Sequence, residues 1–284
     1  MLKGDTPMKF ISLGLGLFVG GVLTCSAVTV FESAGASPAA IQPTVDAFRG
    51  AIGGGTVAGV NGDFGGIRRE INWDGVPNIS SDLNNLPADF FNTTSPRGVV
   101  FTTPGTGFLV SANAGQPTPP LFGFANDFQT FSAQRLFTAV SSTIVDVSFF
   151  LPSTTTAATT SAFGLVFVDV EVAAAARLQF FDGENNLLFS RDALVAGNQG
   201  LSFLGGIMEA DGPQISRVRI TAGDNAIVAN GVLFNPFDDV VVMDDFIYAA
   251  PTVQTSSVPD SSSVVMLLGG ALLALTALKR RIAA

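Results

Sequence analysis

Histidine is missing from all 284 residues, and cysteine, tryptophan and tyrosine occur once each. Without an imidazole there is no Ser-His-Asp or Cys-His proton relay and no histidine metal site. The three lysines are Lys3, Lys9 and Lys279, all close to the ends. The body of the chain therefore has no amine for Schiff-base chemistry and no thiol nucleophile. Cys25 is the lone thiol, and if it leaves with a leader the remaining chain has no disulfide and depends on core packing and bound metal.

Positive charge is scarce as well. Residues 28–255 carry nine arginines against 21 acids, a net charge of −12, which repels phosphate backbones and disfavours nucleic acid as a partner. Divalent cations suit such a surface. A pair of carboxylates flanking a glycosidic bond is a catalytic apparatus this composition leaves intact. With so many acids some pair at that separation arises by chance, so a secreted glycan hydrolase is the alternative to a non-enzymatic binding protein.

Phe (25) and Gly (31) are abundant, Val and Thr are frequent, and helix formers are sparse, a balance that favours an all-β domain. At the N-terminus, Lys9 precedes an uncharged apolar run over residues 10–23, and Cys25-Ser26-Ala27 offers a small residue at a cleavage point. This is the layout of a secretory signal peptide over residues 1–27, with Met8 a plausible start. A cut after Ala34-Gly35-Ala36 is the alternative, but Val28-Thr29-Val30-Phe31 reads better as a first strand. A lipidated Cys25 is disfavoured, because Val22-Leu23-Thr24 lacks the small residue expected before it.

The C-terminus holds the strongest linear signal. Val258-Pro259-Asp260 and three serines precede a 15-residue uncharged run over residues 264–278, then Lys279-Arg280-Arg281. As a helix the run spans about 22 Å, against a hydrocarbon core of about 30 Å, and the cations hold its end in the cytoplasm. The body would then lie outside. These parts in this order resemble the PEP-CTERM sorting signal of bacterial secreted proteins, in its Val-Pro-Asp form, with Asp260 where glutamate is commonest. The resemblance implies that an exosortase-type membrane protease cuts near the Pro-Asp step, and that Val258, Pro259, Asp260, Lys279, Arg280 and Arg281 form the sorting motif. An ordinary tail anchor carries a similar run and cations. The expected organisation is a signal peptide over 1–27, a β-sandwich ectodomain over 28–250, a Ser/Thr-rich linker with the motif over 251–263, and a transmembrane helix with its basic tail over 264–281.

Within the ectodomain, Ile41, Val45 and Phe48 recur at helical spacing after Pro38 and predict one helix over 37–50. The Gly53-Gly54-Gly55 and Gly65-Gly66 clusters break it into loops, and no Lys-Ser/Thr follows them, so a phosphate-cradling loop is not expected. From Val99 onward strand follows strand, over 99–102, 107–111, 144–151, 164–172, 176–181, 187–191, 201–208, 216–221 and 240–248. Val145, Val147 and Phe149 alternate with Asp146 and Ser148, which predicts an antiparallel sandwich with one face buried and one wet. Residues 152–161, rich in Thr and Ala, read as a low-complexity loop.

Two sets of oxygen ligands stand out. Glu70, Asn72 and Asp74 alternate, which in an extended segment puts three oxygens on one face, with Ile71 and Trp73 on the other; such a face suits Ca²⁺. The plainer reading is a solvated strand face with Trp73 in the core rather than stacked on a sugar. This stretch, with Phe90-Phe91-Asn92 and residues 95–101, resembles a recurrent uncharacterised domain of secreted PEP-CTERM proteins, which has no activity to transfer. Asp182, Glu184 and Asn186 around Asp182-Gly183 could hold a cation, but are also what a hairpin tip needs.

The segments 164–170, 180–188, 200–205, 217–220 and 243–248 together resemble jelly-roll domains of surface and carbohydrate-binding modules. That resemblance implies a jelly-roll-like sandwich, with a structural calcium tying the last strand to the domain's start through Glu32, Asp244 and Asp245. An edge strand kept from aggregating by its charges is the other reading. Together these readings describe an exported, non-enzymatic cell-surface or matrix protein that binds polysaccharide, with Ca²⁺ as a structural ion.

Overall fold

The computed structural model describes residues 27–212, 214–228, 231–232 and 238–253. The chain opens with β1 (Val28–Gly35), α1 (Pro38–Ile52), β2 (Asp63–Phe64) and β3 (Arg68–Ile71), followed by the short α2 (Phe90–Thr93). There follow β4 (Val99–Thr102), β5 (Gly107–Val110), β6 (Phe137–Val140), β7 (Ile144–Phe149), β8 (Ala162–Val168), β9 (Arg177–Phe181) and β10 (Leu187–Asp192). The last are β11 (Leu201–Met208), β12 (Arg217–Thr221), β13 (Ile227–Val228), β14 (Gly231–Val232) and β15 (Val242–Ala249).

Two antiparallel sheets carry the fold. The first has eight strands, in the order β1-β11-β8-β15-β3-β2, with β6 paired to both β15 and β5; the second has five, in the order β10-β9-β12-β7-β4. From β6 to β12 each passage crosses from one sheet to the other except the β9–β10 hairpin. The core lies between the sheets, where Phe163, Leu165, Phe167, Phe246 and Tyr248 meet Phe101, Val147, Phe149, Phe180 and Val218.

The second sheet keeps the expected alternation. Val145, Val147 and Phe149 are buried while Asp146 and Ser148 are half-buried on the outer face. There Asp146 Oδ1 accepts from Arg217 Nη1 and Oδ2 from Arg219 Nη2, each at 2.7 Å. Burial works against the Asp146 charge, yet these two guanidinium partners hold its carboxyl below the usual range.

The first sheet departs from the expected wet outer face, because α1 covers it. Every residue of β8 is buried, which explains why it reads as a continuous apolar run rather than an alternating one. Ile41, Val45 and Phe48 of α1 pack on Val166, Val168, Leu201, Phe203, Val242 and Ile247. Phe48 meets Phe31 and Phe203 edge-on, each at 5.4 Å. Gly164 and Gly205 are cross-strand partners beneath it, and a Cβ on either would stand 2.9 Å from its ring. The two glycines together make the hole that seats the helix.

The Thr/Ala-rich stretch is exposed over residues 153–157 and packed at its end. Thr159 exchanges both backbone hydrogen bonds with Thr252 at 2.9 Å, and Thr160 Oγ1 donates to the Ala249 carbonyl at 2.7 Å. Pro251 is buried, so the folded body runs past residue 250 to at least Thr252. Among the described residues no helix is long and apolar enough to cross a membrane. The expected signal segment, except Ala27, and everything from residue 254 lie outside the described residues.

Candidate functional site

A cleft of about 690 Å³ opens between the C-terminal half of α1, the glycine loop after it, and β2–β3; it is lined by Asp46, Arg49, Thr56, Phe64, Arg68 and Glu70. Arg68, almost fully buried, donates from Nε to Glu70 Oε1 at 2.7 Å, from Nη1 to the Gly53 carbonyl and from Nη2 to the Gly55 carbonyl at 2.9 Å. Its guanidinium lies 4.3 Å from the Phe64 ring centre. The glycine loop thus turns carbonyls, not amides, toward the cleft, the wrong polarity for cradling phosphate.

Arg49 is the junction of this wall. Nη2 donates to Glu70 Oε2 at 2.9 Å and to Asp245 Oδ2 at 3.2 Å, and Nε donates to Glu70 Oε1 at 3.1 Å. One residue from each of two predicted ligand sets, Glu70 and Asp245, therefore meets at a cation already present. Asp244 and Asp245 sit where the β15–β8 register slips; a β-bulge of this kind lets consecutive side chains reach the same neighbours. Asp244 Oδ2 accepts the backbone N–H of Phe131 at 2.7 Å and of Ser132 at 3.2 Å, while the Ser132 hydroxyl donates to Asp245 Oδ1 at 2.7 Å. Burial pushes both carboxyls up: Asp244 well above the usual range, with Asp245 beside it adding, and Asp245 to about 6 despite Arg49.

The other predicted ligands are dispersed. Glu32 does not join Asp244 and Asp245; it pairs through both oxygens with Arg191 of β10, clamping edge strands of the two sheets together. Glu70, Asn72 and Asp74 do not share a face, because β3 ends at Ile71 and Trp73 adopts φ = 67°. Asp74 is carried round the turn, where its Oδ1 accepts the backbone N–H of Gln134 and of Arg135. Burial raises its pKa more than those bonds lower it. Asn72 Nδ2 donates to Asp74 Oδ2 at 3.2 Å.

Trp73 is a core residue, 1% exposed and stacked on Phe137 at 4.1 Å. At the β9–β10 tip, Asp182 Oδ1 accepts from the Glu184 and Asn186 amides at 3.0 and 2.7 Å, so its oxygens serve the turn.

One acidic cluster escaped the sequence reading. Asp169 and Glu171 follow β8, and Asp239 precedes β15; one carboxylate oxygen from each lies within 4.8 Å of the others. Asp169 Oδ1 accepts the Gln199 N–H at 2.7 Å. Burial first, then Glu171, Asp239 and Asp127, push its carboxyl up to about 7. The linear trace is faint: an Asp-x-Glu leaving one strand and an Asp-Asp pair approaching another, about seventy residues apart.

The sorting-motif residues Val258, Pro259, Asp260, Lys279, Arg280 and Arg281 lie outside the described residues. No curated protein and no solved structure matches the chain. Residues 257–282 match the VPDSG-CTERM motif. The chain therefore ends in a PEP-CTERM-like sorting tail, which points to an exported, surface-directed protein.

Proposed function

We propose that this chain is an exported surface protein whose tail is read and cut by an exosortase-type membrane protease, and whose β body associates with extracellular polysaccharide without catalysis. The observation that carries the reading is the tail match at residues 257–282. Its apolar run and terminal cations supply a stop in the membrane, leaving the folded body on the far side. The sheet-crossing order from β6 to β12 supports a jelly-roll-like connectivity, an architecture that also serves lectin domains.

A binding rather than hydrolytic role is supported by how the cleft carboxylates are used. Of the two carboxylates lining the cleft, Asp46 and Glu70, Glu70 already has both oxygens taken by guanidinium N–H groups. It is not free to trade a proton with a leaving group, which leaves the cleft without the pair of working carboxylates a glycosidase needs. The cleft floor, with Phe64 half-buried beside Arg68, is the proposed seat for a sugar chain.

Intact-mass measurement of the chain from a host with an exosortase, and from the same host without it, tests the sorting part. The expected result is loss of the tail's mass only when the protease is present, and retention of the full tail in a Pro259→Ala/Asp260→Asn double variant. The same mass in both hosts would sink the reading. A glycan array blank with calcium and blank with chelator would remove the polysaccharide part.

A further inference from the structure

Several acidic groups elsewhere in the body are answered by arginine: Asp146 by two guanidiniums, Glu70 by Arg49 and Arg68, Glu32 by Arg191. The cluster beyond β8 is not. None of the ion pairs among the described residues includes Asp169, Glu171 or Asp239. Its further neighbours are more acids, since Asp127 acts on Asp169 and Asp224 on Asp239. Asp224 Oδ1 also accepts the Asp239 N–H at 2.6 Å.

Asp239 supplies a second, independent observation. It is 1% exposed. Its Oδ2 is filled by the amides of Glu171 and Val172, each at 2.9 Å, but its Oδ1 is buried without any hydrogen-bond partner. A buried carboxylate oxygen that meets neither a donor nor a cation is strongly disfavoured. The spacing points the same way: oxygens bound to one Ca²⁺ at about 2.3–2.6 Å stand at most about 5 Å apart, and the three here fall within 4.8 Å. Asp169 and Asp239 are buried while Glu171 is exposed, so the site has closed walls and one open side for waters.

We propose that Asp169, Glu171 and Asp239 bind one divalent cation of the calcium class, tying the end of β8 to the start of β15. An all-oxygen set without nitrogen or sulfur selects a hard ion, and the open side accommodates the high coordination number calcium takes. The site stands on this geometry and is independent of the sorting tail. It replaces Glu32, Asp244 and Asp245 as the place where a cation braces the last strand.

The test uses the full chain stripped with chelator, titrated calorimetrically with CaCl₂ and unfolded thermally with and without it. The expected result is one ion per chain with Kd of about 10⁻⁴–10⁻³ M, as in extracellular modules, and a Tm rise of about 5–10 °C at hundredfold excess over Kd. Asp239→Asn keeps an acceptor for the two amides while removing the charge. It is expected to leave the calcium-free Tm at or above that of the parent and to abolish the response. Glu171→Gln, at an exposed position, is expected to weaken binding at least tenfold. No heat and no Tm shift in the parent chain, or a response that survives Asp239→Asn, would overturn the proposal. Should Asp239→Asn not fold, undiminished affinity in Glu171→Gln would overturn it equally.

Discussion

Trp73→Ala is expected to destabilise the body by about 3–5 kcal/mol, the range for deleting a large buried aromatic side chain. Total stabilities of single domains are only about 5–15 kcal/mol, so the variant would be near its unfolding threshold at 37 °C. The ring is the hub of the aromatic core. It stacks on Phe137 at 4.1 Å and takes the edges of Phe91 and Phe246 at 5.5 and 5.0 Å. It also holds its own backbone at φ = 67°, a conformation that costs a bulky residue of order 1–3 kcal/mol unless packing offsets it. Trp73→Phe gives the contrast: the indole N–H is buried without a partner, so phenylalanine loses part of the ring and also removes an unsatisfied donor. Its expected cost is below about 1.5 kcal/mol. Urea unfolding followed by far-UV circular dichroism measures both, because the only tryptophan is the residue changed. Equal costs for the two variants would mean that ring volume is not what holds this core.

The pattern of what was legible follows from where the information lies. Where burial is one-sided, period two is written in the chain. Sheet two shows it in β7 and in β4, whose bounds the chain gives to the residue. α1 was legible from Ile41, Val45 and Phe48, but not what it would cover. A helix lying on the outer face of sheet one buries β8 on both sides, and nothing local in β8 says whether a sheet or a helix does so. Strand β6, Phe-Thr-Ala-Val, is buried at all four positions and has no alternation to read.

The ligand sets fared differently for a related reason. Alternation of Glu70, Asn72 and Asp74 presumes that the strand continues, and the positive φ at Trp73 ends that premise. Asp244 and Asp245, as neighbours, should face opposite ways; the bulge brings both to Ser132. Asp169, Glu171 and Asp239 are assembled by strand order alone, from two loops whose proximity exists only once β8 and β15 pair. The sorting tail, by contrast, is a linear signal and needs no fold to be read.

Arg49→Met is the second large effect, and its signature is in its pH dependence. Removing the guanidinium leaves Asp245, 4% exposed, and Glu70, 12% exposed, without the partner they share. Breaking a buried pair from one side costs about 3–5 kcal/mol, and it unfastens α1 from β3 and β15. The sign follows from Asp245. Its carboxyl titrates at about 6 in the folded chain against an ordinary value of 3.8, so the folded state holds the proton more tightly. The stability this confers is fully present below about pH 4 and is lost as pH rises through 6. Arg49 limits that loss, because its charge favours the carboxylate, and without it the penalty for ionising Asp245 grows. The gap between Arg49→Met and the parent should therefore be widest at pH 7.5 and narrow toward pH 4, where Asp245 is neutral in both proteins and no longer adds to it. Urea midpoints of the two proteins at pH 4, 5.5 and 7.5 give the measurement. A gap that stays constant across that range would show that the Asp245 carboxylate does not need the charge of Arg49.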